Sequence, residues 1–292
     1  MLNESIRGPE SVAAFTPGRA YWNQRGQLGA ARDRLLTLSR TVGYPSDLSP
    51  YQFAQLVAGC LEFKPDLILE LGRGFGNSTC AFTEAANQLG GATRTRVVSL
   101  CRTREWDSVT RPALAPLVGD SWFAPLSAMT TDILTFDYRR HLSGARRVIL
   151  FWDAHGFEIA ECVLGTIMPL LVDRAHLVFM HDLSDIRYCP PSLADYGERS
   201  VWKGENAGDA RLRIGIVDSA VAQAISIVDF SGRNNITLDS ADHSFDVDIG
   251  RSGGVDEMRG LLGDELFSLQ GHWFWFTLNE RPGPFTFPKL KR

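Results

Sequence analysis

The chain has 292 residues, enough for one large domain or a core with an insertion. Its 44% hydrophobic and 22% charged content is ordinary for a globular protein, and a net charge of −4 without a long Lys/Arg run argues against a nucleic-acid groove. No apolar stretch reaches the roughly 18 residues of a membrane span, and no charged region followed by an apolar core opens the sequence as a secretory leader would, so a cytoplasmic protein with no membrane partner is expected.

Residues 1–25 are polar and punctuated by Gly and Pro, and read as an arm packed on the body or on a second subunit of a homo-oligomer. A helix is predicted from Gln27 to Val42, ending at Gly43. Ser49-Pro50-Tyr51-Gln52 is a helix start, with Ser49 as N-cap, Pro50 at the first helical position and Gln52 closing a capping box. Phe53, Leu56, Val57, Cys60 and Leu61 then give the helix one apolar face, until Lys64-Pro65 ends it.

Asp66-Leu67-Ile68-Leu69-Glu70-Leu71 follows, a short apolar run of the kind buried on both faces of a parallel sheet. Gly72, Gly74 and Gly76 come next, then Asn77, Ser78 and Thr79, which are read as helix-capping residues. A strand, a glycine loop and a helix N-terminus together form a cofactor cradle. The Gly-x-Gly-x-x-Gly spacing of dinucleotide folds is not met, since Asn77 stands at the third glycine position and Gly76 falls one residue early.

Beyond the helix over 78–89, strands are predicted at 95–100, 128–134, 147–152 and 176–180, alternating with helical segments. Ala160, Val163, Leu164, Ile167, Met168 and Leu171 form the stripe of one such helix, with Glu158 and Glu161 near its positive end. This alternation predicts an α/β fold, a Rossmann-like doubly wound sheet. Residues 183–264 break the rhythm and read as a lid insertion over the strand ends, with a helix over 214–228. Trp273, Phe274 and Trp275 with Phe285 and Phe287 suggest a terminal hairpin turning at Asn279–Gly283. The expected division is an N-terminal arm and helix (1–48), a cofactor-binding core (49–184), a substrate lid (185–264) and a C-terminal hairpin completing the sheet (265–292). Trp273 and Trp275 share a strand face and read as core. The five cysteines have no CxxC spacing, which argues against a zinc site or redox pair.

The stretch Glu70-x-Gly72-x-Gly74-x-Gly76 resembles the first motif of class I S-adenosylmethionine-dependent methyltransferases. The resemblance implies that Glu70, Gly72, Gly74, Gly76, Asn77 and Ser78 hold S-adenosylmethionine, with Glu70 serving the methionine ammonium group. It also implies an antiparallel last strand, and an acid near the adenine, for which Asp132 is the first choice and Asp120 the second. The family places an acid for the ribose at the end of the second strand. Here that position is Cys101, leaving Glu105 or Asp107 in the loop to supply the carboxylate.

Phe151-Trp152-Asp153-Ala154-His155-Gly156-Phe157-Glu158 and Met180-His181-Asp182 resemble the corresponding strand ends of small-molecule O-methyltransferases of the macrolide-sugar and catechol type and of cephalosporin hydroxylase-like proteins. Asp153, His155 and His181 are the expected catalytic residues, and Asp153, His181 and Asp182 the expected ligands of Mg²⁺ or another divalent cation. A hard cation or a histidine base would lower the cost of removing a hydroxyl proton. The expected partner is a small-molecule acceptor. The rival readings are a hydroxylase-like metal enzyme on the same fold, a non-catalytic partner protein and, disfavoured by Asn77 and Cys101, a NAD-dependent dehydrogenase.

Overall fold

The computed structural model describes residues 15–42, 48–181, 183, 210–280 and 282–289, with the side chains of 210–221 excepted. Three helices come first: α1 (Pro17–Asn23), α2 (Arg25–Ala30) and α3 (Arg32–Thr41). The single helix predicted over 27–42 is thus two, interrupted at Ala31. Helix α4 (Pro50–Phe63) begins as its sequence requires, with the Ser49 hydroxyl on the Gln52 amide and the Gln52 side chain returning to the Ser49 amide.

The core then alternates β1 (Leu67–Leu71), α5 (Asn77–Gln88), β2 (Arg96–Cys101), α6 (Arg111–Val118), β3 (Leu126–Thr130), α7 (Tyr138–Leu142), β4 (Arg147–Trp152), α8 (Phe157–Cys162), a π turn (Val163–Ile167), α9 (Met168–Leu171) and β5 (Ala175–Met180). Strand β3 ends at Thr130, so Thr131 and Asp132 stand beyond it rather than inside it. Helix α10 (Ala210–Asn234), strand β6 (Asp239–Ser240), helices α11 (Ala241–Phe245) and α12 (Val255–Leu266), and strand β7 (Phe274–Phe276) complete the described chain.

The seven strands lie in the order β3-β2-β1-β4-β5-β7-β6. Strands β1 to β5 are parallel, and β7 runs antiparallel to both β5 and β6. This is the doubly wound, mostly parallel sheet with an antiparallel C-terminal strand that the sequence predicts. The expected terminal hairpin does not form. Strand β7 pairs with β5 and β6, and residues 282–289 carry no strand. Pro282, Pro284 and Pro288 remove the amides that a second hairpin strand would need. Residues 285–287 instead lay Phe285 and Phe287 on the core and bind the Asn234 side chain through Thr286.

Side chains alternate across the strands, so each face of the sheet has its own core. Ile68, Val97, Ile149, Phe151, Leu177, Phe179, Trp273 and Trp275 pack under α1 to α5 and α12. Leu69, Leu71, Leu100, Leu150, Trp152, Val178 and Phe276 pack under α8, α9 and α10. Both tryptophans are therefore core residues on one face, as their spacing suggests.

The segment expected as a lid takes part in the body of the domain. Strand β6 lies in the sheet, and α11 and α12 pack on α1 to α4. The described part of the N-terminal arm is held there too: the Thr16 hydroxyl donates to Asp248 at 2.6 Å, and the Gly18 amide to the Ser244 hydroxyl at 2.9 Å. Four cysteines, Cys60, Cys80, Cys101 and Cys162, are buried and free, whereas Cys189 and Trp202 lie outside the described residues. Among the described residues no helix is long and apolar enough to cross a membrane.

Candidate functional site

Backbone pairing continues one residue past the parallel strands, and this aligns the site. The Gly72 amide donates to Leu100 O at 3.0 Å, the Asp153 amide to Leu71 O at 2.9 Å, the His181 amide to Trp152 O at 3.2 Å, and the Thr131 amide to Cys101 O at 2.8 Å. Gly72, Cys101, Thr131, Asp153 and His181 thus stand along one carboxyl edge of the sheet. The chain leaves β1 toward β2 and β3 on one side and toward β4 and β5 on the other. Such a switch point opens a crevice where ligands of open α/β sheets bind.

The glycine loop fits tightly at that crevice. Gly72 and Gly76 both have φ of +95°, a left-handed conformation that side chains disfavour. A Cβ on Gly72 would come within 2.1 Å of Asp153 O, and one on Gly76 within 2.2 Å of the Trp106 ring. The loop therefore needs glycine to let β4 and the segment after β2 close on it. Helix α5 begins at Gly76 with no side-chain cap. Asn77, Ser78 and Thr79 do other work than the capping expected of them. The Asn77 amide group donates to Val42 O. The hydroxyls of Ser78 and Thr79 both donate to the Glu70 carboxylate, the latter at 2.5 Å.

Glu70 is fully buried. Burial raises its pKa, against the opposing pull of the Ser78, Ser99 and Thr79 hydroxyls and the Arg73 charge. Both Glu70 oxygens are thus engaged by hydroxyls from the first turn of α5, which ties the end of β1 to the start of that helix.

Arg73 is the loop residue that sequence reasoning passed over. Its side chain is 1% exposed, and Nη1 donates to Ser99 O at 2.7 Å and to Met129 O at 3.4 Å, spanning the ends of β2 and β3. Nε and Nη2 are buried without any acceptor. The readable signal was a cation set between Gly72 and Gly74, where small residues would suffice.

At the end of β2, Cys101 lies against Thr103, with Sγ to Oγ1 at 3.2 Å. Burial raises the thiol pKa. The Thr103 hydroxyl and amide, the Gly74 amide and the Arg73 charge outweigh it and bring the value below the ordinary one. Glu105, in the following loop, is half-buried, and its Oε2 has no partner. The Thr103 hydroxyl and then the loop amides and the Arg73 charge hold its pKa down. Asp107 is exposed. Of the two acids considered for this loop, Glu105 is therefore the less exposed and the one that feels the Arg73 charge.

Asp132 is engaged locally. It caps the turn at Ile133–Thr135 through the Leu134 amide at 2.9 Å and pairs with Arg102, and these contacts lower its pKa. Asp120 opens a short 3₁₀ turn and is exposed.

At the ends of β4 and β5, His181 Nδ1 lies 3.3 Å from Asp153 Oδ1, with both side chains nearly buried. His155 stands two residues further on, exposed, with Nδ1 3.1 Å from Oε1 of Gln223 on helix α10. Asp182, expected as a cation ligand, lies outside the described residues. Among the described residues no three ligating side chains converge on a metal position. Gln223 was not legible in the sequence, because only the packing of α10 on α8 brings it to the site.

No protein-family model matches the sequence, and no curated protein matches it. Solved structures of similar fold include the methyltransferase PaMTH1 of Podospora anserina bound to SAH, at 17% identity over 70% of this chain and 82% of that one, with a TM-score of 0.48. A putative caffeoyl-CoA O-methyltransferase from Staphylococcus aureus matches at 10% identity over 75% and 94%, with a TM-score of 0.46. The O-methyltransferase TomG of Streptomyces achromogenes, in complex with SAM, matches at 14% identity over 70% and 81%, with a TM-score of 0.40.

Proposed function

We propose that this chain is an S-adenosylmethionine-dependent methyltransferase acting on a hydroxyl of a small molecule or sugar-containing metabolite. The observation that carries the reading is the glycine cradle at the switch point, with the Asp153–His181 pair on the neighbouring strand ends of the same edge.

The residues present fit such a cofactor. Unpartnered buried donors on Arg73 and an unpartnered acceptor on Glu105 suit a polar ligand that both accepts and donates, as a ribose diol does. In this reading Glu105 takes the part of the acid missing at Cys101, and the glycine loop, with Asn77 and Ser78 at the start of α5, takes the amino-acid end. Asp132 would approach the adenine by giving up part of its local pairing. The cofactor supplies an electrophilic methyl group on a sulfonium.

The remaining chemistry is alignment of the acceptor oxygen and removal of its proton. Asp153, through Oδ1, would orient the His181 ring and stabilise its protonated form, and His155 supplies a second imidazole at the mouth of the crevice. A divalent cation held by Asp153, His181 and Asp182 would lower the cost of the same proton.

Titration calorimetry with S-adenosylhomocysteine tests the cofactor, and absence of heat would overturn the reading. Product mass after incubation with hydroxylated acceptors tests the reaction. A gain of a methylene mass is expected, whereas a gain of oxygen would favour a hydroxylase-like enzyme.

A further inference from the structure

The amino edge of the sheet, opposite the crevice, carries a positive face that no acid neutralises. Lys64 closes α4 just before β1, Arg94 and Arg96 lead into β2, Arg146 leads into β4, and all four are exposed. The register sets them side by side, because Leu67 of β1 lies level with Arg96 of β2 and Val148 of β4. Helix α7 ends against the same edge, where Arg96 Nη2 lies 3.5 Å from His141 O, and it adds the exposed Arg139 and Arg140. The acids of these segments are Asp66 and Asp137, and backbone takes both. Asp66 accepts the amides of Arg146 and Arg147 at 2.8 and 3.1 Å, and Asp137 that of Arg140 at 3.1 Å. Among the described residues none of these cationic side chains meets a carboxylate. Exposure alone does not account for this. Arg40, Arg233 and Arg251 are also exposed, yet meet Glu265, Asp229 and Asp246 at 2.6, 2.7 and 2.8 Å. In a chain of net charge −4, such a face is a concentrated field that attracts anionic groups.

Beside it lies a groove of about 510 Å³. Phe136, Pro169, Leu170 and Pro288 give the groove apolar walls, Arg139 joins it to the basic face, and Lys289 adds a further cation. Its acid is Asp137, already bonded to the Arg140 amide. A phosphate backbone would use the cations and leave the groove empty. An acidic polypeptide with a bulky apolar side chain would use both, and the planar arginine fork suits carboxylates. We propose that this face docks an acidic segment of a partner protein, anchored by an apolar side chain in the groove. About 17 Å of strand separates the edge from Gly72 and Asp153, so the partner leaves the crevice open. The docking is independent of the methyl-transfer reading and serves to place the chain beside its partner.

The test is fluorescence anisotropy of the full-length chain with a short fluorescein-labelled peptide of glutamates around a central phenylalanine. Half-saturation is expected below about 100 μM. Raising salt from about 50 to about 500 mM should weaken it at least about tenfold. Serine in place of the phenylalanine should cost at least about fivefold, and Arg94→Glu with Arg96→Glu and Arg146→Glu at least about tenfold. Should that variant lose the wild-type circular dichroism spectrum, Arg94→Gln with Arg140→Gln gives the same readout with a smaller loss. No binding by the wild type would overturn the proposal, as would undiminished affinity in the variants or equal affinity for the serine peptide. Tighter binding of labelled single-stranded RNA than of the peptide would also overturn it, making the face a phosphate-backbone surface. Saturating S-adenosylhomocysteine should leave the peptide's affinity unchanged, and competition between the two would overturn the placement at the amino edge.

Discussion

The amide of Leu278 donates to Nε2 of His176 at 3.1 Å, deep in the core. Nδ1 of the same ring lies 2.9 Å from Arg174 O, which must receive its hydrogen. The ring is thus a neutral bridge between the start of β5 and the chain leaving β7. Burial pushes its pKa down from 6.5 to about 4. On acidification the unfolded chain takes up the proton first. The stability is therefore whole above the ordinary pKa and is lost progressively between pH 6.5 and about 4. The loss should reach about 3 kcal/mol near the lower limit. Urea unfolding at the two ends of this window measures it, and His176→Gln should flatten the dependence.

The cofactor cradle makes a second prediction. Gly74 has φ of +50° and sits between the buried Arg73 and the start of α5. Gly74→Asp should cut S-adenosylhomocysteine affinity at least about tenfold, a loss of 1.4 kcal/mol or more in binding. Undiminished binding would place the cofactor elsewhere.

The acceptor side should separate from the cofactor side. Asp153→Asn removes the charge beside His181 Nδ1 at 3.3 Å but leaves the glycine loop untouched. Turnover should fall about a hundredfold, in the range of lost general-base assistance, while S-adenosylhomocysteine still binds. A parallel assay with a chelator decides the cation. Loss of activity restored by Mg²⁺ would assign it a part, and full activity would leave the proton to the histidines.

A fourth prediction concerns the scaffold. Glu84 is buried on α5 and receives both a two-pronged Arg34 contact at 2.8 Å and the Trp122 indole. These bonds overcome the effect of burial and hold its pKa down. Arg34→Met would strand the carboxylate and should cost about 2 kcal/mol, less than for a fully buried pair because Arg34 is itself half-exposed. Chemical denaturation reads the loss.

Much of the sheet could be read from the chain because its strands are short, apolar and bounded by glycine or proline. Leu67–Leu71 and Arg147–Trp152 fall where their patterns put them. The Ser49 capping box was equally legible, since every contact in it is local. Long-range pairing was not. Strand β7 has the same alternation whether its partner is β5 or a hairpin mate, and only the prolines at 282, 284 and 288 hinted at the difference. At the end of β1, the alternate glycines were legible as a sharp loop, and Gly72, Gly74 and Gly76 all take positive φ. Their neighbours Ser78 and Thr79 looked like caps, because hydroxyls at a helix start serve either the backbone or a nearby carboxylate. Gln223 carried no local signal at all.

The insertion of β7 between β5 and β6 sets an order of assembly. The Phe274–Phe276 strand is the last strand of the described chain, yet it occupies an interior position. Until a ribosome has released it, β5 keeps an unpaired flank lined by Val178 and Phe179, and β6 has no neighbour in the sheet. A nascent chain stalled before Phe274 would present that flank to other chains, a template for intermolecular pairing. Premature termination there should accordingly yield insoluble protein rather than a folded core lacking one strand.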